Sequence, residues 1–206
     1  MCWKSWCIAA ALLLSFAAHA ETGLSDADID KLAMQPGTEV AKRQEGDTQI
    51  TEIRRAGVVI TVRRKGDKAD SVGQDDSGHG AVLCMWRLYI SFRQGLNLCF
   101  PNQYPEFHED LDYAIGAMNN FIAANSLAPT SKEEVEAAVT ALVDRSKKQG
   151  DGTTAQLGGE EFQKRCASSD FGRGIVKMAE MTREQRRRQI ADLLSVPRPP
   201  VMNPCM

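Results

Sequence analysis

The stretch Val82-Leu83-Cys84-Met85-Trp86-Arg87-Leu88-Tyr89-Ile90-Ser91-Phe92-Arg93-Gln94-Gly95-Leu96-Asn97-Leu98-Cys99-Phe100 decides the fold class. Trp86, Leu88, Ile90 and Phe92 alternate with polar neighbours as in a strand, whereas Met85, Tyr89, Phe92, Leu96 and Cys99 recur at helical spacing. The run is longer than a typical strand of ~5–6 residues, and the chain beyond it carries helical patterns throughout, so the spacing predicts a helix. On a straight helix Cys84 and Cys99 would stand about 22 Å apart, outside the ~4.4–6.8 Å Cα window of a disulfide. Each would then reach to Cys166 or Cys205, while a chain reversal at Gly95 would permit the local pair instead.

Downstream, residues 106–125 align Leu111, Ile115, Met118 and Ile122 in one stripe, with Glu106, Glu109 and Asp110 near a helix start where negative charge is favourable. Pro129 breaks the chain, and Ser131 to Glu134 forms a capping box ahead of Val135, Ala138, Val139 and Leu142, which predicts a helical hairpin. Gln149 to Gly159 reads as a flexible stretch. Shorter helices follow around Phe162–Cys166 and Phe171–Met178, and the Thr182 to Gln185 capping box opens a last helix that buries Ile190, Leu193 and Leu194. The tail Pro197-Arg198-Pro199-Pro200-Val201-Met202-Asn203-Pro204 suits neither helix nor sheet yet ends in Cys205, so it is expected to be strapped onto the body, with an intermolecular bond through Cys205 as the alternative.

Upstream, Glu21 to Met34 carries a helical signal with Ser25 as its cap, ended by Pro36-Gly37. Ile50 to Arg54 and Val58 to Arg63 flank Ala56-Gly57 and read as a β-hairpin. Residues 65–81 are almost devoid of apolar side chains and read as a flexible loop or linker. No internal repeat is evident.

The first 20 residues form a signal-peptide pattern: Lys4, an apolar run from Ile8 to Ala18, then Ala18-His19-Ala20 before Glu21. The run is too short to span ~30 Å of hydrocarbon as a helix. Cleavage removes Cys2 and Cys7 and leaves Cys84, Cys99, Cys166 and Cys205. An even set in an oxidising compartment predicts two disulfides, and no C-x-x-C pair supports zinc. The chain has 206 residues, with 25 Lys and Arg against 27 Asp and Glu. That balance excludes a strongly basic nucleic-acid binder.

Candidates for chemistry are few. His108, Glu109 and Asp112 form the best local metal-binding cluster, since positions 108 and 112 share a helical face. The spacing is not that of the H-E-x-x-H zinc proteases, and acids collect at helix starts in any case. His79, beside Asp75, Asp76 and Ser77, is the other histidine of the mature chain and sits on the predicted loop. Basic clusters occur at Arg54-Arg55, Arg63-Arg64-Lys65 and Arg183 with Arg186-Arg187-Arg188. The three consecutive arginines would spread over about 300° of helix circumference rather than form one stripe.

These readings predict a mostly helical (α+β) fold: a helical domain with an N-terminal β-hairpin, stapled by two disulfides. Residues 21–81 would hold the first helix, the hairpin and the loop, and residues 82–206 the stapled helical domain with its Pro-rich tail. The expected function is that of a periplasmic or secreted non-catalytic interaction protein, such as an adaptor, inhibitor or immunity-type factor, whose partner is an envelope or secreted protein. No cofactor is expected. The competing expectation is a metal-assisted hydrolase using His108, Glu109 and Asp112.

Overall fold

The structure, a computed structural model, describes residues 26–157 and 159–205. The predicted signal peptide and the Ser25 cap lie outside these residues. Helix α1 (Asp26–Ala33) precedes four strands, β1 (Thr38–Glu45), β2 (Thr48–Arg55), β3 (Val58–Lys65) and β4 (Lys68–Asp75), which form one antiparallel meander in sequence order. Six helices follow: α2 (Val82–Cys99), α3 (Pro105–Asn125), α4 (Lys132–Leu157), α5 (Gly159–Ser168), α6 (Asp170–Ala179) and α7 (Arg183–Leu193).

The expected hairpin is present as β2 and β3, but it is the centre of a larger sheet. Residues 65–81 are not a loop throughout, because 68–75 form β4. β4 and β1 are the edge strands; they bury few side chains, so they lack the apolar alternation that marks β2 and β3. Charged edges also resist pairing with other chains. Three two-residue turns join the strands, closed by Glu45↔Thr48, Arg55↔Val58 and Lys65↔Lys68. At the central turn both Ala56 (φ 48°) and Gly57 (φ 79°) are left-handed, as a type I′ connection requires. Gly57 is further constrained by proximity: a Cβ there would lie 2.8 Å from the Ser77 Cα.

One sheet face is apolar. Ile53, Val58, Ile60 and Val62 pack with Ile29 and Leu32 of α1 and with Val201 of the tail. The second core lies among the helices, where Leu96, Leu111, Met118 and Ile175 are fully buried. Trp86, Tyr89 and Phe92 belong to it, and the Trp86 indole donates to Asn119 Oδ1 at 2.7 Å. Leu111, Ile115 and Ile122 face this core, with Val139 and Leu142 packed against it. Both predicted capping boxes form: Ser131 with Glu134, and Thr182 with Gln185. The flexible stretch expected from Gln149 is instead the end of α4, which runs to Leu157. No proline interrupts it there, and Gly150 and Gly152 each weaken a helix by only about 1 kcal/mol relative to Ala.

Residues 82–99 are helical, and the cysteines pair as Cys84–Cys205 and Cys99–Cys166, with Cα separations of 5.4 and 5.3 Å. The tail is strapped back as expected, through the first of these bonds. It runs between β4 and the start of α2: the Leu83 N–H donates to Val201 O at 3.0 Å, and the Asp75 N–H to Asn203 O at 2.7 Å. Among the described residues, no helix is long and apolar enough to cross a membrane.

Candidate functional site

A polar constellation joins α3 to α7. Glu106, Glu109 and Asp110 occupy positions i, i+3 and i+4 of one helix face, and Arg183, Arg186 and Arg187 repeat that spacing on the other helix, so the two charged faces mesh. Asp110 is at the centre. Its Oδ2 accepts from Arg186 Nε at 2.9 Å and Nη2 at 2.6 Å, and its Oδ1 accepts from Arg187 Nε at 3.3 Å. Arg183 Nε lies 3.2 Å from the same Oδ1. The Asp110 and Arg186 side chains are only 3% and 4% exposed. Arg186 Nη2 also reaches Glu106 at 3.1 Å, while Nη1 donates to the carbonyls of Met181 and Ala179, so this one guanidinium also satisfies carbonyls left open at the end of α6.

This arrangement corrects two expectations. Asp110 is a buried anchor for arginines, because by the sixth position of α3 the helix face already points into the protein. The arginines of α7 likewise do not all stay at the surface: Arg186 is buried against Asp110. The reading of Arg186 to Arg188 as consecutive residues missed the i, i+3, i+4 relation that includes Arg183. Only Arg188 turns away, to Glu184 at 2.6 Å. Arg187 lies over the Tyr113 ring at 4.7 Å. Glu109, by hydrogen bonding to Arg183, raises that guanidinium's pKa above its ordinary value.

Two of the three proposed metal residues are held in ion pairs, one in this network and one beside it. Glu109 bonds Arg183 Nη2 at 2.6 Å, and Asp112 pairs with Arg93. His108 is half-buried on α3. No group of three metal-ligating side chains is assembled among the described residues. Tyr89, Phe107, Asp110, Tyr113, Ala114, Arg186, Arg187 and Ile190 line a depression beside the network that is too tight for a water-sized guest. The Tyr89 hydroxyl points into this buried region without a hydrogen-bond partner among the described residues, and desolvation pushes its pKa up.

A second cluster forms where the connection after β4 meets the C-terminal end of α7. His79 Nδ1 lies 3.3 Å from Ser195 Oγ and 3.5 Å from Asp192 Oδ1. Ser195 Oγ also donates to Asp192 O at 2.7 Å. The residue types are those of a Ser–His–Asp relay, but both contacts fall on one ring nitrogen. A relay needs the carboxylate on one nitrogen and the hydroxyl on the other. The cluster therefore works as a clasp on the end of α7. Ser77, two residues before His79, accepts the His79 backbone N–H on its Oγ at 3.2 Å and donates its own N–H to Asp75 Oδ1 at 2.9 Å, with no hydrogen bond to the imidazole among the described residues.

Opposite the apolar face, the sheet presents a polar one. Arg43, Glu52 and Arg54 form a ladder across β1 and β2, with Arg43 Nη1 at 2.7 Å and Arg54 Nη2 at 2.9 Å from the Glu52 carboxylate. The hydrogen bond from Arg43, assisted by that from Arg54, holds the Glu52 carboxyl below its ordinary pKa. On the same face Val72 is 47% exposed, and Val59 and Thr61 are half-buried. No protein-family model, curated protein or solved structure matches the chain.

Proposed function

We propose that the chain is an exported, non-catalytic interaction protein that uses the polar face of its sheet to bind a second protein in the periplasm or outside the cell. The observation that carries this reading is the ordered surface itself. Four eight-residue strands joined by two-residue turns hold the Arg43–Glu52–Arg54 ladder in place, with Val59, Thr61 and Val72 beside it. Strand spacing and rise give this face an area on the order of 400–500 Å². That falls below the ~800 Å² per partner of a standard interface, so the contact is either transient or extends beyond the sheet. A protein partner fits this mixed-charge face better than nucleic acid does, because its Arg43 and Arg54 are already paired with the Glu52 carboxylate. The hydrolase alternative is disfavoured by the ion pairs that occupy Glu109 and Asp112.

Site-specific photocrosslinking in the native compartment tests the proposal. A crosslinker at Thr61 or Val72 is expected to give one discrete protein adduct, and one at the exposed Lys177 of α6 none. Adducts from Lys177 alone, or no adduct from either sheet position, would reject the sheet as the binding face.

A further inference from the structure

The sheet and the helical body have separate hydrophobic cores, and the strands share few direct contacts with α2–α7. Besides the connecting residues 76–81 and Leu127, which packs against the sheet core, what joins them is the C-terminal strap. Arg198 is fully buried and anchors the strap's near end: Nε donates to Asp75 Oδ2 at 2.7 Å, Nη1 to the carbonyls of Leu193 and Val196 at 2.9 and 3.0 Å, and Nη2 to Gly80 O at 2.6 Å. Val201 then plugs the sheet core with 0% exposure. Beyond it the strap has the hydrogen bonds at Leu83 and Asp75, the short parallel bridge Gln74↔Asn203, and Cys84–Cys205.

We propose that Cys84–Cys205 is a thiol-exchangeable latch that governs how tightly the sheet is coupled to the helical body. The two disulfides differ in access at one end. Cys84 and Cys99 are equally buried, at 3% and 4% exposed, but Cys205 is exposed whereas Cys166 is half-buried, so the sulfur open to attack belongs to the Cys84–Cys205 bond. A thiolate of a dithiol reductant attacks Cys205 Sγ, forming a mixed disulfide and releasing Cys84 as a thiolate that takes up a proton. The donor's second thiol, deprotonated, then closes on its own mixed sulfur and expels Cys205 as a thiolate, which is protonated in turn. The donor leaves as a disulfide, and two electrons and two protons have passed to the cysteine pair. Arg198 stays in place, since its partners lie upstream of the bond, and acts as the hinge. The segment from Val201 onward is left with two main-chain hydrogen bonds and one apolar side chain, so it peels from β4 and takes the Val201 plug out of the sheet core.

Two measurements on the mature protein test this. Graded dithiothreitol followed by alkylation and peptide mass mapping is expected to label Cys84 and Cys205 before Cys99 and Cys166. Simultaneous labelling, or the reverse order, overturns the latch. Amide hydrogen exchange in Cys205→Ser is expected to accelerate at Asp75 and Leu83 on the order of tenfold or more, with little change at Leu111 and Met118, because local opening replaces global unfolding as the exchange route. Cys166→Ser should leave the Asp75 and Leu83 amides as they are. Unchanged strap amides in Cys205→Ser, or equal acceleration at Leu111 and Met118, refute the proposal. If Cys205→Ser does not accumulate folded, the same amides are followed in wild-type protein after partial reduction.

Discussion

Replacing Asp110 by alanine separates two physical accounts of the acidic start of α3. If Glu106, Glu109 and Asp110 served only the helix dipole, each would be worth about 0.3–1 kcal/mol and the three replacements would look alike. The structure instead buries the Asp110 carboxylate against Arg186, with both side chains under 5% exposed and Nε and Nη2 both directed to Oδ2. Breaking a buried pair by removing one partner typically costs about 3–5 kcal/mol, because the remaining charge stays desolvated. Arg186 would keep Glu106 and the α6 carbonyls, which places Asp110→Ala toward the lower part of that range. Glu109, 71% exposed, should stay within about 1 kcal/mol on replacement. For a chain of this length each kcal/mol moves the Tm by about 2–4 °C, so Asp110→Ala should melt at least about 6 °C lower. The assay is urea unfolding of the oxidised protein followed by circular dichroism at the helical band. An Arg186→Met variant and the double mutant complete the cycle, with a coupling on the order of 0.5–3 kcal/mol expected. Equal, small losses for Asp110→Ala and Glu109→Ala would refute the buried-anchor account.

Three further substitutions each remove or add a single heavy atom. Tyr89→Phe removes a buried hydroxyl that has no partner among the described residues, so it is expected to leave stability unchanged or raise it by up to about 1–3 kcal/mol. Because burial raises the folded-state pKa above the ordinary 10.0, wild-type stability should hold below pH 10 and fall as pH rises beyond it, where the unfolded chain releases a proton that the folded one retains. Urea midpoints between about pH 8 and 11 should show that slope reduced in Tyr89→Phe; an unchanged slope would place its origin elsewhere. At the turns, Gly46→Ala and Gly57→Ala both force a left-handed alanine, at about 1–2 kcal/mol each, but only Gly57 faces the Ser77 backbone. Gly57→Ala is therefore expected to destabilise the sheet more, read by hydrogen exchange at β2 and β3, and equal effects would show that the Ser77 contact yields freely.

The helical half was legible because its signals are local. The capping boxes at Ser131 and Thr182 each need only three residues of context, and both form as read. The straightness of α2 placed Cys84 and Cys99 beyond each other's reach, which left Cys166 and Cys205 as partners; the choice between the two pairings depends on where the tail runs, a tertiary matter. Edge strand β4 departs from its expected loop for a different reason. Lys68 to Asp75 shows almost no apolar alternation because one of its sides has no neighbouring strand over most of its length and one of its faces is turned outward. Yet the turns at 46–47, 56–57 and 66–67 recur every ten residues, each with a glycine. That period is the mark of a meander with equal strands, and it was available without any hydrophobic pattern.

The buried charges show where local reading ends. Each member of the α3–α7 network looks ordinary on its own helix: acids near a start, arginines near another start, both compatible with solvent. What distinguishes them is that the two sets share one spacing, i, i+3, i+4, with opposite sign. Such a match becomes meaningful only if the helices face one another, and three helices, α4 to α6, intervene before α7 returns to pack against α3. Arg198 is an even plainer case. It stands among prolines with no periodicity around it, and its partner Asp75 is 123 residues earlier, at the end of an edge strand. The cue that did exist was Cys205: once it is bonded to a cysteine of the same chain the tail lies against the body, and an arginine carried along that path needs a carboxylate wherever the path removes it from water.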